Sequence, residues 1–263
     1  MSRPVTVGLD GSPESLAAAE WAAREAWASG APLRLVHAGD QPPHAYVPFA
    51  GEVISAPGAD LLTPLLSEAA ARLTHRRPGL SVTAEQVAGR PVPVLAAEAA
   101  EAELLVLGSR GAGRAAGLLL GSVASAVAAR SRRPVVLVRA GGPSGEAGEV
   151  VVGVDLDAPD DGVLGFAFAA ACRHGTGLRV VHGHRRSVAL DGPEGVLTPW
   201  RAKFPGVEVA AEAVVGDAGA HLADASRAAS LVVVGRRRER VTGHVTSTVL
   251  RHAPAPVAVV PHG

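Results

Sequence analysis

Cysteine and lysine are almost absent from this sequence of 263 residues. Cys172 is the only cysteine, so the chain has no intramolecular disulfide and no cysteine cluster for a zinc site. Lys203 is the only lysine, which excludes a Walker A phosphate loop because that motif requires a lysine after its second glycine. The histidines show no spacing that combines with carboxylates into a metal site, and we expect no structural metal.

The sequence also lacks an excess of charge of either sign. Lys plus Arg and Asp plus Glu both number 25, so the formal net charge is zero. Nucleic-acid-binding proteins usually carry a basic excess, and we expect no nucleic-acid partner. The longest uncharged run, 115–129, is too short to span a bilayer of about 30 Å, and the N-terminus lacks the apolar stretch of a signal peptide. We therefore expect a cytoplasmic protein with no membrane partner.

An internal repeat is present. Residues 4–10 (PVTVGLD) resemble 149–155 (EVVVGVD), and residues 33–37 (LRLVH) resemble 178–182 (LRVVH). Two further pairs follow in the same order, 104–108 with 231–235 and 134–138 with 256–260. This order indicates a duplication. We expect two domains, 1–140 and 149–263, with a glycine-rich linker between them.

Short apolar runs alternate with alanine-rich helical stretches within each copy. In the first copy they predict strands at 4–9, 33–38, 81–87, 103–108 and 134–139, and helices at 13–29, 63–77, 91–101 and 122–131, with a long loop after the second strand. Ser12 and Pro13 form a helix start signal, and Gly30 is a stop signal. Apolar strands without alternation are typical of parallel sheets covered on both faces. The sequence thus predicts an α/β fold with parallel sheets flanked by helices.

The candidate ligand site follows from where parallel sheets bind ligands, beyond the carboxyl ends of the strands. Asp10 and Ala38 follow two predicted strands, and the glycine-rich segment 108–123 follows a third. Glycines let the backbone approach a ligand closely, and the positive end of the helix that Ser122 would cap suits a phosphate. Arg110 and Arg114 could add charge-assisted hydrogen bonds to phosphate oxygens.

The same segment carries a family motif. Gly108-x-x-Gly111, nine further residues, and then Gly121-Ser122 match the pattern Gly-2x-Gly-9x-Gly-Ser/Thr, so the chain resembles the universal stress protein family. Residues 7–12, 35–38 and 131–138 resemble other blocks of that family, and the resemblance extends over essentially the whole chain. It implies two tandem domains, each with an open parallel five-stranded sheet of order 3-2-1-4-5.

The resemblance also implies a ligand, ATP with Mg²⁺, in the first domain. Asp10 and the backbone of Ala38 would contact adenine. The ribose and phosphates would be held by Gly108, Arg110, Gly111, Gly121, Ser122 and Val123. Three strand-end neighbours, Gly8, Leu9 and Leu107, complete the predicted site. No residue is assigned a catalytic role.

The second copy departs from the motif. Asp155 and Gly235 are retained as candidate binding residues, but Arg238 aligns with Gly111, and 243–244 reads Gly-His instead of Gly-Ser. Its loop could still offer Arg236, Arg237, Arg238 and Arg240 to phosphates. We expect one tight ATP site per chain, in the first domain.

Several of these residues also have purely structural interpretations. Asp10 could end its strand and help to cap the next helix, and Ser122 could be only a helix cap. His37 and His182, at equivalent strand ends, are expected to be packed and hydrogen-bonded rather than ligands. Cys172 lies in an Ala- and Phe-rich helix and is expected in the core.

Three functions are compatible with these features. The first is an ATP-binding, nucleotide-responsive regulator in stress adaptation. The second is a slow ATP hydrolase on the same site, and the third is a dimerisation or interaction protein without nucleotide. The resemblance further implies that final strands 134–139 and 256–261 pair within the chain as a pseudo-dimer, and a homodimer of chains is also possible.

Overall fold

The computed structural model describes residues 2–39, 45–46, 53–54, 62–109, 120–142, 148–155, 158–184, 194–237 and 243–263. The first half, up to residue 142, contains β1 Val5–Gly8, α1 Pro13–Ser29, β2 Leu33–Ala38, β3 Ala45–Tyr46, β4 Val53–Ile54, α2 Leu62–Arg76, β5 Val82–Val87, α3 Pro91–Glu101, β6 Leu104–Gly108, α4 Ser122–Arg130 and β7 Val135–Val138. The second half, from residue 148, contains β8 Val150–Val154, α5 Asp161–His174, β9 Leu178–His184, α6 Glu194–Lys203, β10 Val209–Val215, α7 Ala218–Ala225, β11 Leu231–Arg237, α8 His244–His252 and β12 Val257–His262.

Local signals account for the ends of α1. The Ser12 side chain accepts a hydrogen bond from the amide of Ser15, and Pro13 occupies the first turn. Gly30 ends the helix in the left-handed conformation, with φ of 66°, which glycine adopts without a Cβ penalty. The helix therefore begins and ends where the sequence predicts. A short antiparallel pair, β3 with β4, lies in the stretch expected to be a loop.

One ten-stranded sheet joins the two halves of the described chain, in the order β10-β9-β8-β11-β12-β7-β6-β1-β2-β5. Within each half the strands are parallel. The α/β fold and the strand order 3-2-1-4-5 are therefore confirmed. The two five-stranded units form a single sheet because β7 and β12 pair antiparallel, with Val136 opposite Ala258. This is the pairing of final strands expected from the resemblance.

Two apolar layers cover the faces of this sheet, and both extend across the two halves. One layer packs the sheet against α1, α2, α5 and α6, and the other packs it against α3, α4, α7 and α8. Within β6, Leu104 and Val106 belong to the first layer, whereas Leu105 and Leu107 belong to the second. Both faces of the strand are therefore buried, which explains its uninterrupted apolar sequence.

The prediction for Cys172 is wrong, because its side chain is exposed. It lies on α5, whose buried residues begin at Val163 and include Phe168 and Ala171. An alanine-rich helix gives little contrast between its faces, so the sequence did not show that Cys172 lies outside the buried stripe. In the described part of the chain, no helix combines the length and apolarity needed to cross a lipid bilayer.

Candidate functional site

A pocket of about 310 Å³ lies beyond the carboxyl ends of β1, β2 and β6. Because β1 pairs with β2 on one side and with β6 on the other, this is the point where the strand order reverses. The pocket is lined by Gly8, Leu9, Asp10, Ser15, Val36, Ala38, Pro91, Leu95, Leu107, Gly108, Gly121, Ser122, Val123 and Ala124. The structure thus brings together all the described first-domain residues of the predicted site. Arg110 and Gly111 lie outside the described residues.

Sequence reasoning missed one wall of the pocket. Val36, Pro91 and Leu95 contribute an apolar surface that faces the same space as Leu107. Leu95 comes from α3, and only the folded packing of that helix on the sheet brings it to β1 and β6. No local motif marks it. Val36 directly precedes the predicted strand-end residues, so extending the search by one residue into β2 would have found it.

The carboxylate of Asp10 is held by the start of α1. Its Oδ1 accepts hydrogen bonds from the Ser12 amide at 3.0 Å and from the Ser12 hydroxyl at 2.5 Å. The backbone amide of Asp10 donates to the Ser15 hydroxyl at 3.3 Å. Asp10 therefore supports the turn into α1, as its structural interpretation requires, and also lines the pocket. The two bonds from Ser12 fix the orientation of its carboxylate.

The N-terminus of α4 faces the pocket with Gly121, Ser122, Val123 and Ala124. Gly121 is the N-cap residue, and because glycine has no side chain, no side-chain hydrogen bond caps the helix there. The prediction that Ser122 caps the helix is therefore wrong, since Ser122 is the first residue inside it. The first-turn amides of a helix have no partner within the helix, and they carry a partial positive charge. This end of α4 is suited to an anion.

Gly108 lies at the closest approach of β6 to α1. A Cβ atom added there would lie 2.8 Å from the backbone nitrogen of Ser15 and 2.9 Å from the carbonyl carbon of Glu14. Both obstacles are backbone atoms, so neither can rotate away. Glycine at this position lets the strand end and the helix start meet at the floor of the pocket.

His37 is packed beside the same strand end. Its Nδ1 lies 2.7 Å from the carbonyl oxygen of Leu9, and the side chain is buried. His182 is buried at the equivalent position of β9. Both histidines therefore have the packed environment expected from the sequence. Within the described residues, no group of three His, Cys, Asp or Glu side chains is arranged to hold a metal ion.

A second, smaller pocket of about 170 Å³ lies at the equivalent position of the second half. Asp155 and Gly235, the two candidates there, both line it, together with Asp160 and His262. A Cβ atom on Gly235 would lie 2.8 Å from Nε2 of His262. The His262 side chain thus lies against Gly235, which is equivalent to Gly108 in the repeat.

The two halves differ most where β6 and β11 end. β6 ends at Gly108, whereas β11 continues through Arg236 and Arg237 in register with β12. Arg236 is 4% exposed, and its Nη2 donates to the backbone carbonyl of Ser131. The expectation that Arg236 could reach phosphates is therefore wrong. Arg237 is exposed, and Arg238 and Arg240 lie outside the described residues.

Comparison with known proteins gives consistent matches. The model of the universal stress protein family matches residues 1–139 and 185–261. A universal stress protein of Mycobacterium tuberculosis strain H37Rv is 31% identical over 293 residues, covering 98% of this chain and 99% of that protein. The crystal structure of a universal stress protein from Archaeoglobus fulgidus is similar with a TM-score of 0.77 and 20% identity, covering 100% of this chain and 97% of that one. A solved universal stress protein in complex with cAMP is 34% identical over 53% of this chain and 98% of its own, with a TM-score of 0.41.

Proposed function

The chain belongs to the universal stress protein family, and we propose that it binds one ATP per chain in the first-half pocket and acts as a nucleotide-responsive regulator in stress adaptation. The observation that supports this proposal most directly is the composition of that pocket. An apolar wall, an oriented carboxylate and the positive end of a helix all face one space at the switch point of the sheet.

Each part of the pocket suits a different part of ATP. The wall of Val36, Leu95 and Leu107 would receive the adenine ring, with Asp10 available as a hydrogen-bond acceptor beside it. The amides at the start of α4 would bind phosphate oxygens. A volume of about 310 Å³ lies at the lower end of the range for small-molecule sites, roughly 300–1,000 Å³. Arg110 and Gly111 belong to the same proposed site by sequence.

Mg²⁺ fits this site only as an ion bound to the phosphates of the nucleotide. Asp10 is the only carboxylate among the described lining residues, and the proposal uses it at adenine. Mg²⁺ is commonly bound through substrate phosphates with few protein ligands. The ion would add positive charge at the phosphate oxygens, and the residues at the start of α4 would orient them.

We assign the single site to the first half because the second pocket is smaller and differs at its glycine. His262 lies against Gly235, and Arg236 is engaged with Ser131 instead of facing the pocket. Asp155 lines that pocket, as Asp10 lines the first. The two aspartates therefore form a matched pair for testing which half binds.

Isothermal titration with ATP and Mg²⁺ tests the proposal on the wild type and on these two variants. We expect one ATP per chain. Asp10→Ala should weaken binding by about tenfold or more, because a hydrogen bond to a charged group contributes about 1.5–3 kcal/mol. Asp155→Ala should leave the affinity unchanged.

Two results would overturn this assignment. Two equivalent tight sites, or equal weakening by the two substitutions, would mean that the second half binds nucleotide as the first does. The function itself would be excluded if the wild-type protein binds no ATP in titration and denaturing extraction of the purified protein releases no nucleotide. Circular dichroism should show that each variant keeps the wild-type fold.

A further inference from the structure

Arg236 reaches from the second half into the first. It lies near the end of β11, and its buried guanidinium donates through Nη2 to the backbone carbonyl of Ser131 and through Nη1 to that of Arg237 at 3.3 Å. Ser131 is the C-cap residue of α4 and is itself buried. In the internal repeat Arg236 aligns with Ser109, so the guanidinium is specific to the second half.

The position of this bond matters because α4 is short. The helix has nine residues, so its two ends are separated by about 13 Å at 1.5 Å per residue. Its buried side chains are only Ala124, Val127 and Ala128, and two of these are methyl groups. Even with the partly buried Val123, these side chains bury little apolar surface, so a polar contact at one end contributes to setting the position of the helix.

The charges at this contact are also complementary. The last carbonyl groups of a helix have no partner within the helix and carry a partial negative charge. A guanidinium complements that charge, and burial reduces its screening by salt. The opposite end of the same helix presents Gly121, Ser122 and Val123 to the first pocket.

We propose that Arg236 is a positioning residue for the first-half site: by holding the C-terminal end of α4, it places the amides at the N-terminal end of α4 for phosphate. This inference rests on the proposed function, because it concerns binding at that same pocket. Arg236 of the second half then supports the nucleotide site of the first half, and it does not itself touch the nucleotide.

Arg139 provides a matched control. It follows β7 and donates through Nη2 to the carbonyl groups of Leu250 and Arg251, at 2.8 and 2.7 Å, in the last turn of α8. It therefore crosses the same junction in the opposite direction. The N-terminal part of α8 lies at the second pocket, which Thr246 lines, so these hydrogen bonds of Arg139 hold the helix at the second pocket and not α4.

The experiment compares Arg236→Met with Arg139→Met in the full chain. Both should lower the midpoint of thermal unfolding, because Arg236→Met removes one hydrogen bond between the halves and Arg139→Met removes two. Only Arg236→Met should weaken ATP binding, by about threefold to tenfold, the range that corresponds to the free energy of a charge at a helix terminus. Arg236→Lys should recover part of the affinity, because the ammonium group keeps a charge and a donor near Ser131.

The outcomes separate this inference from the proposed function. If the wild type binds ATP and Arg236→Met binds as tightly as Arg139→Met, the inference is wrong and the proposed function stands. If the wild type binds no nucleotide, both are wrong. Should Arg236→Met fail to fold, Arg236→Leu replaces it, since it also removes both the charge and the donor; a folded Leu variant with wild-type affinity would also overturn the inference.

Discussion

At the scale of single residues, Glu25 makes the most heavily buried ionic contact between the two halves in the described structure. It lies on α1 and is 4% exposed. Its Oε1 accepts from Nε of Arg173 at 2.6 Å, and its Oε2 lies 2.8 Å from Nε2 of His174, both at the end of α5. Burial alone would raise the pKa of Glu25, but the hydrogen bond to His174 and the charge of Arg173 outweigh it and hold the pKa below its usual value.

Glu25→Gln should therefore destabilise the protein. At pH 7 we expect the free energy of unfolding to fall by about 1.5–3 kcal/mol, the contribution of a hydrogen bond to a charged group. Urea unfolding measures this. Glu149→Gln is the control, because Glu149 pairs with Arg179 where both side chains are about 40% exposed, and such pairs contribute less than about 1 kcal/mol. Equal losses in the two variants would contradict the role of Glu25.

The pH dependence follows from the direction of the pKa shift. A carboxyl group with a lower pKa in the folded state binds its proton more tightly when unfolded. Its contribution to the free energy of unfolding is complete above the pKa of the group in the unfolded state. That contribution is lost as the pH falls through the pKa of the group in the folded state. The difference between wild type and Glu25→Gln should thus shrink as the pH is lowered below the ordinary value of 4.5. Unfolding curves at decreasing pH would show whether it does.

Residues of the candidate pocket and of the contacts between the halves differ in how well the sequence predicts them. Asp10 and Gly108 were found because they occupy fixed places in local motifs at strand ends. Leu95 and the contact of Glu25 with Arg173 were not, since they depend on packing between elements far apart in the chain. The last two residues are separated by 148 positions. Local spacing carries no information about such contacts.

At the scale of elements, the strands β6 and β11 are equivalent in the repeat but end differently. β6 stops at Gly108. The amide of Ser109 still donates to Val138 of β7, but its carbonyl accepts from the amide of Gly121 at 2.7 Å, at the start of α4. β11 continues to Arg237.

The sequence predicts the helix 13–29 to the residue, because the residues that cap it are local. It did not predict the extension of β11 to Arg237, since the consecutive arginines there were interpreted as a loop.

Gly108→Ala tests how closely β6 and α1 must approach. The added methyl group would contact the backbone of Glu14 and Ser15, so the elements must separate, at a cost of about 1–3 kcal/mol, typical of overpacking. Thermal unfolding should show a lower midpoint, and titration should show weaker ATP binding. Gly235→Ala is the control, because the obstacles there are side-chain atoms: the far end of His262, which can rotate, and a methyl group of Val163 at 3.2 Å. An equal or larger loss for Gly235→Ala would contradict this argument.

At the scale of the whole molecule, the two halves share their structural framework. The sheet is continuous through β7 and β12, whose pairing includes Val135 with Val259. Both apolar layers contain residues of each half. Arg139 and Arg236 connect the halves on one face of the sheet, and Glu25 connects them on the other. Separating the halves would expose the apolar edge strands β7 and β12, which is unfavourable.

We therefore expect the chain to unfold in one cooperative transition, although its sequence is a tandem repeat. In differential scanning calorimetry the calorimetric and van't Hoff enthalpies should agree. ATP at one hundred times its dissociation constant should stabilise the native state by about 2.7 kcal/mol and move the whole transition upward. For Asp10→Ala the same ATP concentration should produce a smaller shift. Two transitions, with only one moved by ATP, would show that the halves unfold independently and that the shared sheet does not couple them.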